Sequence, residues 1–158
     1  MQGDPKVIEY LNAELKNELT AVHQYLLHAR QYKHWGFEEL GAHEYSESMD
    51  ELTHADKLIE RILLLDGLPD LQDVHPLQIG KHTLEALQND LRLEQSAQAQ
   101  CKTGIAYCET VRDFASREIL VELLDATEEH IDWLEIQIAL VDKIGIENYQ
   151  QSAMHKLA

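Results

Sequence analysis

Glu18 precedes Glu51 by 33 residues and His54 by 36; Glu94 precedes Thr127 by 33 and His130 by 36. The two halves of the chain thus repeat one register of chemistry-bearing residues. Glu and His three apart lie on one face of a helix, so Glu51-x-x-His54 aims both groups at one centre. Each of these residues interrupts an apolar stripe, and an ionised carboxylate in an apolar seam costs several kcal/mol unless it is paired or binds a metal. Glu18, Glu51 and Glu94 would place three like charges in one core. A pair of divalent metal ions resolves this, with carboxylates binding and bridging and the neutral imidazoles of His54 and His130 completing the two sites. One Glu from each of two helices, with Glu-x-x-His from each of the other two, is the known template of di-iron carboxylate bundles. A lone Glu-x-x-His is usually a solvated helix face; the repeated register is what favours the metal.

The elements that must position these residues are helical. Seven Gly and three Pro are too few for the frequent turns of an all-β fold. Asp4-Pro5 forms an N-cap with Pro at the first helical position, and the next strong stop is Gly36, predicting a first helix of about 30 residues. A second runs from about Glu38 to Asp66 and stops at Gly67-Leu68-Pro69. About 15 residues follow, containing Pro69, Pro76 and Gly80, enough to cross from one end of a bundle to the other. A third helix starts near Thr83, a weak break falls near Asp113, and a fourth ends at Gly145, leaving Ile146 to Ala153 as a short fifth.

The long helices carry apolar residues at alternating spacings of three and four, the seam of a four-helix bundle. The first seam reads Ile8, Leu11, Leu15, Glu18, Val22, Tyr25, Ala29; the third reads Leu84, Leu87, Leu91, Glu94, Gln98, Cys101, Ile105, Cys108. The second, Leu40, Glu44, Glu47, Glu51, His54, Leu58, Ile62, Leu65, is polar in its first half. The fourth, Leu120, Leu123, Thr127, His130, Leu134, Ile138, Val141, is polar in its middle. The expected fold is a single all-α domain over residues 1–158, an antiparallel four-helix bundle with a long crossover after the second helix and a short fifth.

The chain has 158 residues, 44% of them hydrophobic, enough for a buried core. Its 29 acidic residues against 13 Lys and Arg give a formal net charge of -16, a field that repels phosphate backbones and disfavours a nucleic-acid partner. There is no basic segment followed by an apolar run at the start and no window of 18 uninterrupted apolar residues, so a cytoplasmic protein without a membrane partner is expected. Cys101 and Cys108 stand about 10 Å apart along one helix, beyond disulfide reach, and are expected to be packed thiols.

Through nearly its whole length the chain resembles bacterioferritin, the ferritin-like iron-storage protein of bacteria. The likeness rests on Asn17-Glu18-Leu19, Gln24-Tyr25, His54-Ala55-Asp56, Ile59-Glu60-Arg61-Ile62-Leu63, Gly67-Leu68-Pro69-Asp70-Leu71-Gln72-Asp73, Glu129-His130-Ile131-Asp132-Trp133-Leu134-Glu135 and Glu147-Asn148-Tyr149. The resemblance implies a hollow cage of 24 subunits built from two-fold dimers, oxidation of Fe(II) by oxygen or peroxide, ferric mineral stored inside, haem b between the two subunits of a dimer, and an electron-donating ferredoxin. Position by position, it implies Glu18, Glu51 and His54 as ligands of the first iron and Glu94 and His130 as ligands of the second.

Two positions depart from the family pattern. At 127 the family implies a bridging Glu, where Thr offers only a neutral, weak donor; Glu128 lies about 100° around the helix and is a poor replacement. The second iron site is therefore expected to be weakened and ferroxidase activity impaired. At 52 the family implies the methionine that binds haem iron, and Leu52 has no lone pair; Met49 is displaced by about 4.5 Å along the axis. Haem b is accordingly expected only in a mixed assembly with a second bacterioferritin subunit. The alternatives are a fully active ferroxidase in which water or a neighbouring acid replaces the bridge, and a structural subunit that depends on another chain.

Several residues have both a sharp and a bland reading. The resemblance gives Tyr25 and Trp133 roles in electron supply, against plain packing. It turns Glu44, Glu47 and Asp50 toward the cage cavity, against a solvated acidic face, and places Ser46 where the family has a cavity-side histidine. It sets Asn17, His34 and Asp66 along a pore through the shell, although a histidine there weakens the assignment. His23, His28, His34, His43, His75, His82 and His155 match no repeated register and are expected to be surface or structural.

Overall fold

Asp4 starts the first helix by accepting hydrogen bonds from the backbone N–H groups of Lys6 (2.8 Å) and Val7 (3.1 Å), with Pro5 at the first helical position, where its missing N–H costs nothing. In the computed structural model, which describes residues 1–154, the chain forms α1 (Pro5–His34), α2 (Glu38–Leu64), α3 (Thr83–Thr110), α4 (Phe114–Ile144) and α5 (Ile146–Ser152). These are the expected elements, and α2 ends two residues before the Asp66 boundary. No strand occurs among the described residues. His155 lies outside them.

α1 packs chiefly on α2 and α3 chiefly on α4, while α1 against α3 joins the two hairpins. Two apolar clusters fill the ends of this four-helix bundle. One contains Val7, Leu11, Leu15, Leu58, Ile62, Leu120 and Leu123; the other contains Tyr32, Leu40, Leu87, Leu134, Val141 and Tyr149. Burying a Leu side chain contributes about 1.5–3 kcal/mol, so these ends carry the stability and tolerate a polar middle. Cys101 and Cys108 are buried and unpaired, as expected, and the Cys101 thiol donates to the carbonyl of Leu120. Val7 is fully buried and Ile8 only half-buried, so the first seam begins one residue earlier than its spacing suggests.

The crossover between α2 and α3 is stitched to α1 by polar side chains. The Asn12 amide donates to the carbonyl of Leu68 and accepts from the N–H of Asp70; Lys16 pairs with Asp73 at 3.2 Å. Thr20 accepts from the N–H of His75, Gln24 from that of Gln78, and His28 Nε2 from that of Gly80. Gly80 is required here by space, because a Cβ would stand 2.3 Å from the backbone nitrogen of Ala86. At the other end, Arg61 near the end of α2 holds Asp113 at 2.8 Å, and Asp113 caps α4 by accepting from the Ser116 N–H.

Candidate metal centre

The polar middle of the four seams converges between the two apolar clusters. Glu18, Glu51 and His54, from α1 and α2, offer ligand atoms that all lie within 4.8 Å of one another. His54 Nδ1 stands 3.6 Å from a carboxylate oxygen of each glutamate. Across the bundle, His130 Nδ1 on α4 lies 3.0 Å from Glu94 Oε1 on α3. The hydroxyl of Tyr25 donates to that same oxygen at 2.5 Å. Thr127 is buried one turn before His130, at the seam position that the repeat assigns to a fourth carboxylate.

Electrostatics mark the middle as a place that lacks cations. Burial pushes the Glu18 carboxyl above its ordinary value, with the His54 imidazole opposing that rise. Burial also lifts the Glu14 carboxyl well above the usual range, and Glu18 beside it adds to the effect. Burial works against the cationic forms of His54 and His130, yet Glu18 raises the first and Glu94 the second, so both sit above the ordinary imidazole value. Glu18 Oε2 and His130 Nε2 are buried without a hydrogen-bond partner. Buried donors and acceptors are rarely left unmatched, so this set fits a ligand that the protein itself does not supply. Carboxylate oxygen and imidazole nitrogen together suit a divalent transition metal.

The structure also brings together residues that the sequence leaves apart. Glu47 Oε2 lies 3.7 Å from His130 Nδ1, and Glu47, Glu51 and His130 form a second set whose ligand atoms fall within 4.8 Å. His43 stacks on Trp133, ring centroids 3.8 Å apart and planes at 20°, with its Nε2 3.5 Å from Glu47 Oε1. His43, expected to be surface or structural, is half-buried, and with Glu47, His54, His130 and Trp133 it lines a cavity of about 340 Å³ beside the centre. The three acids expected to share one face also separate. Glu44 is fully buried, Glu47 half-buried and Asp50 exposed, because each three-residue step falls about 60° short of a full turn and rotates them across the packed edge of α2.

A third set, His28, Glu44 and Asp90, is fully buried. His28 Nε2 accepts from the Gly80 N–H, which leaves Nδ1 to donate to Asp90 Oδ1 at 2.8 Å. Both His28 nitrogens are thus occupied, and this histidine is structural, as expected. His75 likewise serves the crossover, its Nε2 lying 3.1 Å from Asn17 Oδ1, and Asn17 also donates to Gln100. Glu128 is exposed and accepts from the Gln98 amide, which agrees with its rejection as a substitute for a carboxylate at 127.

Leu52 lies with its side chain on the outer face of α2, 49% exposed, and carries no sulfur. Met49, one turn earlier, is half-buried. The residue at position 52 therefore does not fit an axial ligand to haem iron, which requires a lone pair. No helix among the described residues is long and apolar enough to cross a membrane.

Residues 8–144 match the ferritin-like domain family. The chain is 47% identical over 151 residues to a bacterioferritin of Brucella melitensis, covering 96% of this chain and 94% of that one. It is 46% identical over 155 residues to a bacterial ferritin of Pseudomonas aeruginosa (96% and 99% covered) and 44% identical over 156 residues to a bacterioferritin of Mycobacterium tuberculosis (99% and 98% covered).

Proposed function

Because the chain belongs to the ferritin-like family, and within it to the bacterioferritins, we propose that it takes up Fe(II) and holds it as ferric mineral inside a cage of such subunits. The observation that carries this reading is the convergence of Glu18, Glu51 and His54 within 4.8 Å in a bundle centre closed at both ends by apolar clusters. Glu18, Glu51 and His54 hold the first iron. Glu94 and His130 hold the second, which lacks the carboxylate expected at Thr127. Oxidation of the pair by oxygen or peroxide is correspondingly slow, since a neutral hydroxyl stabilises Fe(III) less than a carboxylate does.

Assembly is supported by the exposed apolar residues that a lone subunit would leave in water. Leu52, Leu63, Leu64, Leu68, Leu71 and Leu77 are between 40% and 83% exposed along the outer side of α2 and the crossover. Large exposed apolar patches of this kind mark interfaces. A cage of 24 subunits, cytoplasmic, reduced by a ferredoxin and joined by a second subunit type that brings haem-binding methionines, is the fuller form of this proposal.

The test is direct. Metal-free protein receives Fe(II) in air, first at two per subunit and then at several hundred per assembly, and is passed through a sizing column. Iron that co-elutes with the assembly supports storage. Iron lost to the small-molecule fractions at both loadings ends the proposal.

A further inference from the structure

We propose that Glu47 supplies the carboxylate of the second metal seat that Thr127 does not, so that a divalent metal is held there by Glu94, His130 and Glu47, with Glu51 shared between the two seats. This inference rests on the function proposed above and says how its incomplete half is finished.

The placement of four residues carries the inference. Glu47 precedes Glu51 by one turn of α2, so both side chains emerge on the side that faces α4. Glu47 Oε2 is 3.7 Å from His130 Nδ1, and one atom each from Glu47, Glu51 and His130 lies within 4.8 Å of the others. Metal–oxygen and metal–nitrogen bonds of about 2.1 Å put two ligand atoms at most about 4.2 Å apart, so the set closes on an ion with shifts below about 1 Å. His130 is buried, and the same Nδ1 also lies 3.0 Å from Glu94 Oε1, so one ring nitrogen faces both carboxylates.

Other acids nearby are excluded by their surroundings. Glu128 points outward to Gln98 and Lys102. Asp50 is exposed. Glu44 is sealed in the core beside Asp90, on the far side of Glu47 from Glu51. Besides Glu51, which the first seat already uses, Glu47 is the acid that both lines the 340 Å³ cavity and stands within 4.8 Å of His130 in the same set. Its other oxygen lies 3.5 Å from His43, which is fixed in place by stacking on Trp133 and so gives the carboxylate a resting contact in the metal-free chain. The Glu47 side chain is 22% exposed, against 3% for Glu18. Glu47 is thus the most exposed ligand of either seat, and the second seat, which depends on it, is the weaker.

Full-length metal-free protein is titrated with Co(II), following its visible absorption and the number of ions bound per subunit by equilibrium dialysis. The wild type is expected to bind two, the second more weakly. Glu47→Gln, of equal size at a partly exposed position, should keep the first and weaken the second at least about tenfold, in the range seen when groups around a metal are lost. In a Thr127→Glu background the same Glu47→Gln change should alter the second affinity less than about twofold, because the repeat's own carboxylate is restored. An unchanged second site in Glu47→Gln, an equal loss in the Thr127→Glu background, or a wild type that binds one Co(II) regardless of Glu47 each overturns the inference and leaves the proposed function standing. Failure of the wild type to bind any Co(II) overturns the proposed function and this inference with it.

Discussion

His130 Nδ1 and Glu94 Oε1 meet at 3.0 Å in the middle of the bundle, the first on α4 and the second on α3. Imidazole and carboxylate here complete each other while no metal is bound. A metal must displace the proton that holds them together, because only a neutral imidazole binds it.

Metal binding should therefore release protons, and more of them at pH 6 than at pH 8. His54 and His130 both sit above the ordinary value of 6.5, so the metal-free protein carries more imidazolium at the lower pH. Glu18, also raised, adds to the release in the same direction. Calorimetric titration with Zn(II) in buffers of different ionisation enthalpy counts these protons. Equal release at the two pH values would contradict the assignment of the two histidines.

Thr127→Glu restores a carboxylate on the seam of α4, one turn before His130. With two Fe(II) added per subunit, the initial oxidation rate should rise at least about tenfold, the scale on which one ligand or its support alters a metal site. Stopped-flow absorbance of the ferric product measures it. Comparable rates in the two proteins would remove the view that Thr127 limits the reaction.

Purified wild-type assemblies should show no absorption spectrum of haem ligated by two methionine sulfurs, since Leu52 offers no donor. Leu52→Met places a thioether at the same exposed point of α2, and haem uptake by that variant is the expected gain. Bis-methionine haem in the wild type would show that the ligands come from elsewhere.

Glu44 is fully buried, and neither of its oxygens has a donor. Burial, reinforced by Asp90, holds its carboxyl well above the ordinary 4.5. The native chain thus keeps a proton that the unfolded chain gives up. Stability from this neutral form is complete below the unfolded value and is lost as pH rises above it. Glu44→Gln has no proton to lose and should melt at the same temperature as wild type at pH 4 but higher at pH 8, by about 2–4 °C for each kcal/mol recovered. Calorimetric melts of the metal-free proteins at matched scan rate decide this, and an equal difference at both pH values would contradict it.

The sequence made the helices and half of the centre legible for a common reason. Glu18, Glu51, His54, Glu94 and His130 fall on stripes whose other members are apolar, and the repeat at 33 and 36 residues needs no knowledge of how the helices pack. Glu47 shares the stripe of α2 but has no counterpart in that repeat, and His43 lies on no stripe. They lie at the edge of α2, where residue type is compatible with water, and only the rotation of α2 against α4 decides that Glu47 faces His130 while Asp50 does not. Glu14 was equally hidden: it sits beside Leu15 in a helix with many surface acids, and its burial follows from the close approach of α1 to α3. His28 and His75 could be dismissed as ligands from sequence, but their true role depends on where the crossover passes.

That crossover also acts as a length gauge. Asn12, Lys16, Thr20, Gln24 and His28 meet Leu68, Asp73, His75, Gln78 and Gly80 in the same order along both segments, so each attachment fixes how many residues separate it from the next. A hairpin joined through such a track cannot slide along its neighbour, and Glu94 arrives at the height of Glu18 instead of a turn above or below it. Deleting or adding a residue between Leu68 and Gly80 would put the two halves of the molecule out of step. Lengthening the short turn between α3 and α4 would leave that alignment untouched.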